Sequence, residues 1–409
     1  MKIKQKKNIP ELLAPAGNFE KLETAVYYGA DAVYLGGQDF SLRNFSGNFS
    51  DKELFNAVKF AHSNNVKVYI TCNIYSRNHE QKPVIEFFNK ISKIKPDAVI
   101  IADPGLIFLA KKIIPNIDIH LSTQSNTTNY NAVMFWKELG IKRINLAREL
   151  SLKEIKKIAL SCLMEIETFI HGAMCISYSG RCLLSNFLSM RGSNQGLCTH
   201  PCRWKYSVVE ERRSGQYHSI MEDKKGTYIF NSKDLCMIEH MPELIDAGIT
   251  SFKIEGRMKG INYLAGAVKT YKQAISSYIN DPDNYFVKPE WKNEFAKIFH
   301  RDYSTGFYFN TPDKIVSNYL DKRTGMIHSF LGRIIKIKKQ NKIVVNIKNK
   351  VSVGDIIEVL AFSGPVLKSR VLNIFDKDKN PIKHAQPNTC STLQLEIKCA
   401  ENQVIRKIS

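Results

Sequence analysis

Four cysteines, Cys175, Cys182, Cys198 and Cys202, stand in the spacing Cys-x6-Cys-x15-Cys-x3-Cys, and Cys236 follows 34 positions after the last. The surrounding text is ETFIHGAMCISYSGRCLLS, Glu167 to Ser185, and then NQGLCTHPCRWKY. Five of the nine cysteines fall within 62 residues, whereas Cys72, Cys162, Cys390 and Cys399 are scattered among apolar or strand-like neighbours and read as small core or surface thiols. A reducing compartment discourages structural disulfides, which leaves metal binding, catalysis or plain burial for the clustered five. Zinc sites prefer close cysteine pairs on both sides of the ion, and only one close pair is present. Iron–sulfur clusters take four thiolates and accept irregular spacing from a long loop. The C-x3-C-x2-C pattern of radical-generating clusters is excluded, because Arg203-Trp204-Lys205 follows Cys202. The glycines of SGRC and QGLC are expected to turn backbone N–H groups toward sulfur. Zinc and unliganded thiols stay open as competing readings at this point.

A second set of chemically able residues lies where apolar runs end. SFKIEGR alternates, so Lys253, Glu255 and Arg257 share one face of a strand and Phe252 and Ile254 the other. Glu255 and Arg257 are the candidate catalytic pair: Arg257 pairs with a substrate carboxylate, and Glu255 moves a proton or holds Arg257 in place. Asn73, Gln124, Asn126 and Arg148, with Glu149 beside it, end or follow other strands and are the candidate substrate-binding groups. Proteolysis finds little support, since neither H-E-x-x-H nor G-x-S-x-G occurs, and His171 four residues before Cys175 is the one conceivable nucleophile–base pair.

The elements that must position these groups are legible as a repeated unit, an apolar run ending in Gly, Asn, Asp or Glu and followed by an amphipathic helical stretch. Eight such runs occur: ELLAPAGN, DAVYLGGQ, KVYITCNI, AVIIADPG, IDIHLSTQS, RINLAREL, ETFIHGA and SFKIEGRM. Alternating strands and helices imply a parallel sheet, and eight units imply a closed (β/α)8 TIM-like barrel. No G-x-G-x-x-G follows the first strand, which weakens an open dinucleotide-binding sheet. The seventh unit carries the cysteine-bearing insert, 172–236, and a loop after a barrel strand belongs over the active mouth. The barrel is expected over 1–300, a connecting segment over 301–325, and a small antiparallel β-barrel-like domain over 326–409, where the text turns to short alternating strands.

The chain has 59 Lys and Arg against 39 Asp and Glu, a net charge of +20, and such a surplus attracts polyanions. Leu331 to Lys350 holds seven basic residues and no acidic one. With the aromatic loop Tyr303–Phe309 it is a candidate RNA surface, offering phosphate contacts and rings for bases. The basic start MKIKQKKNIPELLAPAG lacks the apolar run of a secretion signal, and no stretch of about eighteen apolar residues follows. The expectation is a cytoplasmic protein with no membrane partner.

ETFIHGAMCISYSGRCLLS, NQGLCTHPCRWKY, GTYIFNSKDL and SFKIEGRMK together resemble the collagenase-like peptidase family of unknown catalytic type. Within it the chain is most similar to the bacterial tRNA 5-hydroxyuridine modification proteins, from ELLAPAGN to the C-terminal strands. The resemblance implies a [4Fe-4S] cluster on Cys175, Cys182, Cys198 and Cys202, with Cys236 in reserve. It implies oxygen-independent hydroxylation at C5 of the wobble uridine, with prephenate as co-substrate. The implied partners are the tRNA anticodon region, a small anionic metabolite and the iron–sulfur assembly machinery. A collagenase-like peptidase and a noncatalytic RNA-binding scaffold are the alternatives.

Overall fold

In the computed structural model, residues 9–42, 48–175, 177–204, 222–223, 226–227, 232–298, 300–309 and 328–408 are described. Part of the cysteine insert and most of the connecting segment lie outside them.

Eight parallel strands form the first unit: β1 (Glu11–Pro15), β2 (Ala32–Gly36), β3 (Lys67–Cys72), β4 (Ala98–Ile101), β5 (Asp118–Leu121), β6 (Arg143–Asn145), β7 (Glu165–Ala173) and β8 (Ser251–Ile254). Each pairs with the next, and β8 pairs with both β7 and β1, so the sheet closes. The helices between them are α1 (Phe19–Tyr27), α2 (Asp51–Ser63), α3 (Gln81–Ile94), α4 (Pro104–Ile113), α5 (Tyr130–Glu138) and α6 (Leu152–Cys162). Polar side chains between the strands and helices cap the helix N-termini. Asn18, Asp103 and Asn129 accept backbone N–H bonds of α1, α4 and α5, while Ser50 with Glu53 and Ser151 with Glu154 form capping boxes on α2 and α6. After the insert come α8 (Met241–Asp246), α9 (Ile261–Asn280) and α10 (Pro289–Ala296). Among the described residues no helix is long and apolar enough to cross a membrane.

Inside the barrel, Leu13, Ala32, Tyr34, Tyr69, Ala98 and Ile100 form an apolar cluster. Below it, at the N-terminal ends of the strands, charges meet across the interior. Arg143 donates from Nη1 to Glu11 (2.5 Å) and from Nε to Glu165 (2.8 Å), and its guanidinium lies 3.6 Å from Glu167. Lys253 donates to Glu167 at 2.8 Å, and Tyr69 to Glu11 at 2.7 Å. Burial pulls the Glu11 pKa up, but the hydrogen bond and charge of Arg143 outweigh it and hold the carboxyl below its ordinary value.

The second unit is an antiparallel barrel of six strands: β9 (His328–Lys338), β10 (Lys342–Asn346), β11 (Ile356–Leu360), β12 (Leu367–Phe375), β13 (Cys390–Leu395) and β14 (Val404–Ile408). They pair in the order β11-β14-β9-β10-β13-β12, and β12 returns to β11. The two units are welded. Tyr28, the C-cap of α1, donates to the Leu360 carbonyl (2.7 Å) and accepts from the Val404 N–H (2.9 Å). Arg406, 1% exposed, meets Glu294 and Asn262, each at 2.5 Å, and Lys297 meets Glu358 at 2.9 Å.

Candidate functional site

The C-terminal ends of the strands open into a cavity of about 360 Å³. Cys175, Cys182, Cys198 and Cys202 all line it, together with Asn73, Gln124, Arg148, Glu255 and Arg257. Residues from four different strand ends and the insert thus reach one space, the arrangement expected at the mouth of this barrel.

The insert is fastened over that mouth by specific contacts. Glu149, just past β6, accepts from the Ser179 N–H (2.7 Å) and from its hydroxyl (3.1 Å). Tyr75 N–H donates to the Asn194 carbonyl (3.1 Å), and the Asn194 amide to the Gly180 carbonyl (3.1 Å). Gly180 has φ +72°, and a Cβ there would come within 2.0 Å of the Gln124 carbonyl. The glycine of SGRC therefore lets the insert dock on the loop after β5, a packing reason rather than the sulfur-facing one expected from sequence. A backbone N–H does reach sulfur elsewhere: His200 donates to Cys198 Sγ at 3.4 Å.

Arg148 is the busiest group. Its Nη1 donates to the Ala173 carbonyl (3.2 Å) and lies 4.0 Å from Cys175 Sγ, its Nη2 lies 3.9 Å from Glu255, and the guanidinium stacks 3.9 Å over the Phe169 ring. Lys253 forms part of the floor, its ammonium held by Glu167 and lying 4.6 Å over the Tyr34 ring. Two buried amide oxygens of the lining, Gln124 Oε1 and Asn145 Oδ1, have no hydrogen-bond partner among the described residues. Such groups are costly to bury and are suited to a ligand's donors.

Arg257 differs from the sequence expectation of a substrate-facing guanidinium. It is 3% exposed, and Nη1 donates to Ser41 Oγ (2.6 Å), the Leu42 carbonyl (3.0 Å) and Thr71 Oγ1 (3.2 Å), while Nη2 meets Asn48. It holds the chain after β2 at the rim, because main-chain and hydroxyl acceptors converge on it. Glu255 approaches Arg148, a partner that strand alternation alone does not reveal. Asn73 lines the cavity and accepts from the Leu42 N–H (3.1 Å). Asn126 stands apart: in left-handed backbone (φ 52°) it closes the turn Thr123–Ser125 and is not in the lining.

Cys236 is not at the mouth either. It sits on a short strand, Asp234–Cys236, antiparallel to the end of β7, with Tyr271 donating to its sulfur at 3.8 Å, and burial pushes its thiol up to about 11. His171 packs among Tyr263, Tyr271, Phe295 and Tyr303, with ring centroids 4.6 to 5.6 Å away. Burial drives its pKa down to about 3 against the opposing charge of Asp234. Enclosed there and absent from the cavity lining, His171 is not disposed as a base for Cys175. The aromatic loop is also mostly packing: Tyr303 stacks on His300 (3.9 Å), and buried Tyr308 donates to the Phe169 carbonyl (2.6 Å). Phe307 alone of its rings reaches the cavity.

The donor set, four cysteines lining one cavity, has the thiolate chemistry that an iron–sulfur cluster takes. Four cysteines reach one cavity, with a backbone N–H close to the Cys198 sulfur and a guanidinium close to that of Cys175.

A model described as Peptidase family U32 matches residues 17–318, and one described as Peptidase family U32 C-terminal domain matches 327–406. The chain belongs to peptidase family U32. It is 37% identical over 406 residues to the tRNA hydroxylation protein P1 of Bacillus subtilis, covering 97% of this chain and 94% of that one. It is 36% identical to the tRNA hydroxylation protein P of Escherichia coli, covering 87% of each. Identity to the 23S rRNA 5-hydroxycytidine C2501 synthase of Escherichia coli is 31%, over 86% of this chain and 52% of that one.

In this U32 chain, sequence reasoning overlooked Asn145 and the floor lysine as lining residues. A signal for each was present: Asn145 closes the apolar run RIN as Asn73 closes KVYITC, and Lys253 interrupts an otherwise apolar strand.

Proposed function

We infer that this protein is an iron–sulfur-dependent tRNA-modifying enzyme that hydroxylates C5 of the wobble uridine without molecular oxygen, with prephenate as its small anionic co-substrate. The observation that carries the reading is that four cysteines line the same cavity as Arg148, Glu255 and Lys253 in a chain alike over nearly its whole length to a tRNA hydroxylation protein. Cys175, Cys182, Cys198 and Cys202 would hold a [4Fe-4S] cluster, which supplies electron-transfer or Lewis-acid chemistry when bound.

The chain's own residues supply the rest. Gln124 and Asn145 offer amide groups to the edge of a base drawn out of the single-stranded anticodon loop. Arg148 and Lys253, 3.9 and 5.6 Å from the centre of the Phe169 ring, carry the positive charge that a dicarboxylate needs. Glu255, 3.9 Å from Arg148, is placed to accept or return a proton. Arg257 and Asn73 position the chain after β2 at the rim.

Total tRNA from cells lacking the protein is expected to lose 5-hydroxyuridine and its derivatives by nucleoside mass spectrometry, and to regain them with the wild-type chain but not with Cys198→Ser. Anaerobically purified wild type is expected to carry about four irons per chain and Cys198→Ser to lose them. An unchanged tRNA profile, or stoichiometric zinc in place of iron, would overturn the reading.

A further inference from the structure

Helix α7 (Leu184–Ser189), in the cysteine insert, is built inside out. Its hydroxyls face inward: Ser185 is fully buried, its Oγ accepts from the Thr199 N–H (3.1 Å), and Ser189 Oγ lies 2.8 Å from Thr199 Oγ1. These bonds tie the helix to the Cys198–Cys202 segment. Leu184 lines the cavity, but Phe187, 85% exposed, and Met190, just beyond the helix and 88% exposed, point to solvent. A surface helix ordinarily shows the opposite pattern, and a contiguous exposed apolar patch marks a contact surface. Two more exposed rings belong to the same insert, Tyr178 and Trp204.

We propose that this face of the insert is a base-stacking platform for single-stranded RNA, holding the nucleotides that flank the one drawn into the cavity. The proposal rests on the tRNA reading above and assigns the contact surface that it leaves open. Exposed rings offer every base a stacking partner, which is how unpaired RNA is gripped without reading sequence. Arg181 and Arg191 are exposed in the same insert, in a chain of net charge +20, and complement the phosphates between those bases. Tyr178 and Cys182 line the cavity, so the platform is continuous with the mouth. A second copy of this chain would cover the same apolar residues, but at the cost of bringing two surfaces of like charge together over the mouth.

The test uses full-length, anaerobically purified protein and fluorescence anisotropy. The probes are an anticodon stem–loop RNA with uridine at the wobble position and a blunt RNA duplex of the same stem. Phe187→Ser is expected to weaken stem–loop binding about tenfold, the scale of one lost base–ring stack, and to leave duplex binding and the salt slope unchanged. Phe187→Trp is expected to restore affinity. Lys336→Glu with Lys338→Glu on exposed β9 positions instead should flatten the salt slope for both RNAs, by nearly one unit per lost phosphate contact. Wild-type stem–loop affinity in Phe187→Ser overturns the platform, and if that variant also turns a dimer into a monomer in sedimentation, the occupant is a second copy. A wild-type protein that does not prefer the stem–loop to the duplex overturns the tRNA-loop reading as well.

Discussion

The floor and the mouth of the first barrel use the same side-chain types to opposite ends. At the floor, Arg143 meets Glu11 at 2.5 Å and Glu165 at 2.8 Å, and Lys253 meets Glu167 at 2.8 Å, with the Arg143, Glu167 and Lys253 side chains each no more than 6% exposed. At the mouth, Arg148 lies 3.9 Å from Glu255 and 4.0 Å from Cys175, and both residues face open space. Close, buried and mutually satisfied charges are costly to break one at a time and have little freedom to meet a substrate. Loosely paired charges beside a cavity and unpaired amides are available to one. Lys253 joins the regions, anchored in the floor network while its side chain contributes to the cavity.

The contrast is sharpest in stability. Arg143→Met removes the buried partner of Glu11, leaving that carboxylate to the solvent-exposed Lys67 at 3.4 Å while Glu167 keeps Lys253, and is expected to cost about 3–5 kcal/mol in urea denaturation. Adding Glu11→Gln should recover part of that loss, since the two residues are coupled. Recovery of nothing would mean that the network is not a unit.

A smaller effect separates His171 from catalysis. Its folded-state pKa of about 3 lies below the ordinary 6.5, so above pH 6.5 the imidazole is neutral whether the chain is folded or not. As pH falls below 6.5 the unfolded chain takes up a proton that the folded one refuses, and stability falls by up to about 1.4 kcal/mol per pH unit until near pH 3. His171→Phe, suited to the aromatic surroundings, is expected to flatten that acid slope while leaving the mouth intact. Burial also holds His120 well below its ordinary pKa, so some slope should persist. An unchanged slope would show that His171 is protonated in the folded protein.

Legibility in the sequence followed the distance along the chain over which each feature is encoded. The eight strands and the helical stretches between them are local patterns, and so is the spacing of Cys175, Cys182, Cys198 and Cys202; all could be read directly. The floor network could not, because Glu11 and Arg143 lie 132 positions apart and meet only when the sheet closes. Arg257 was assigned to substrate because its strand alternates, yet its acceptors at Ser41, Leu42 and Thr71 come from segments that only the closed barrel brings alongside. The aromatic loop misled for a different reason: composition marks Tyr303 and Tyr308 as sticky but does not say whether RNA or the protein's own core covers them. Serines on one side of α7 and apolar residues on the other were visible in LLSNFLSM, and what the sequence withheld was which side faces in.

Glu255→Gln tests the account most directly, because it removes a charge at the mouth without changing shape or touching the floor. Expressed in cells lacking the wild-type protein, the variant should fold with near wild-type thermal stability, retain its iron and leave the tRNA without 5-hydroxyuridine by nucleoside mass spectrometry. Wild-type levels of 5-hydroxyuridine from that variant would contradict the assignment of the chemistry to Glu255 at the mouth.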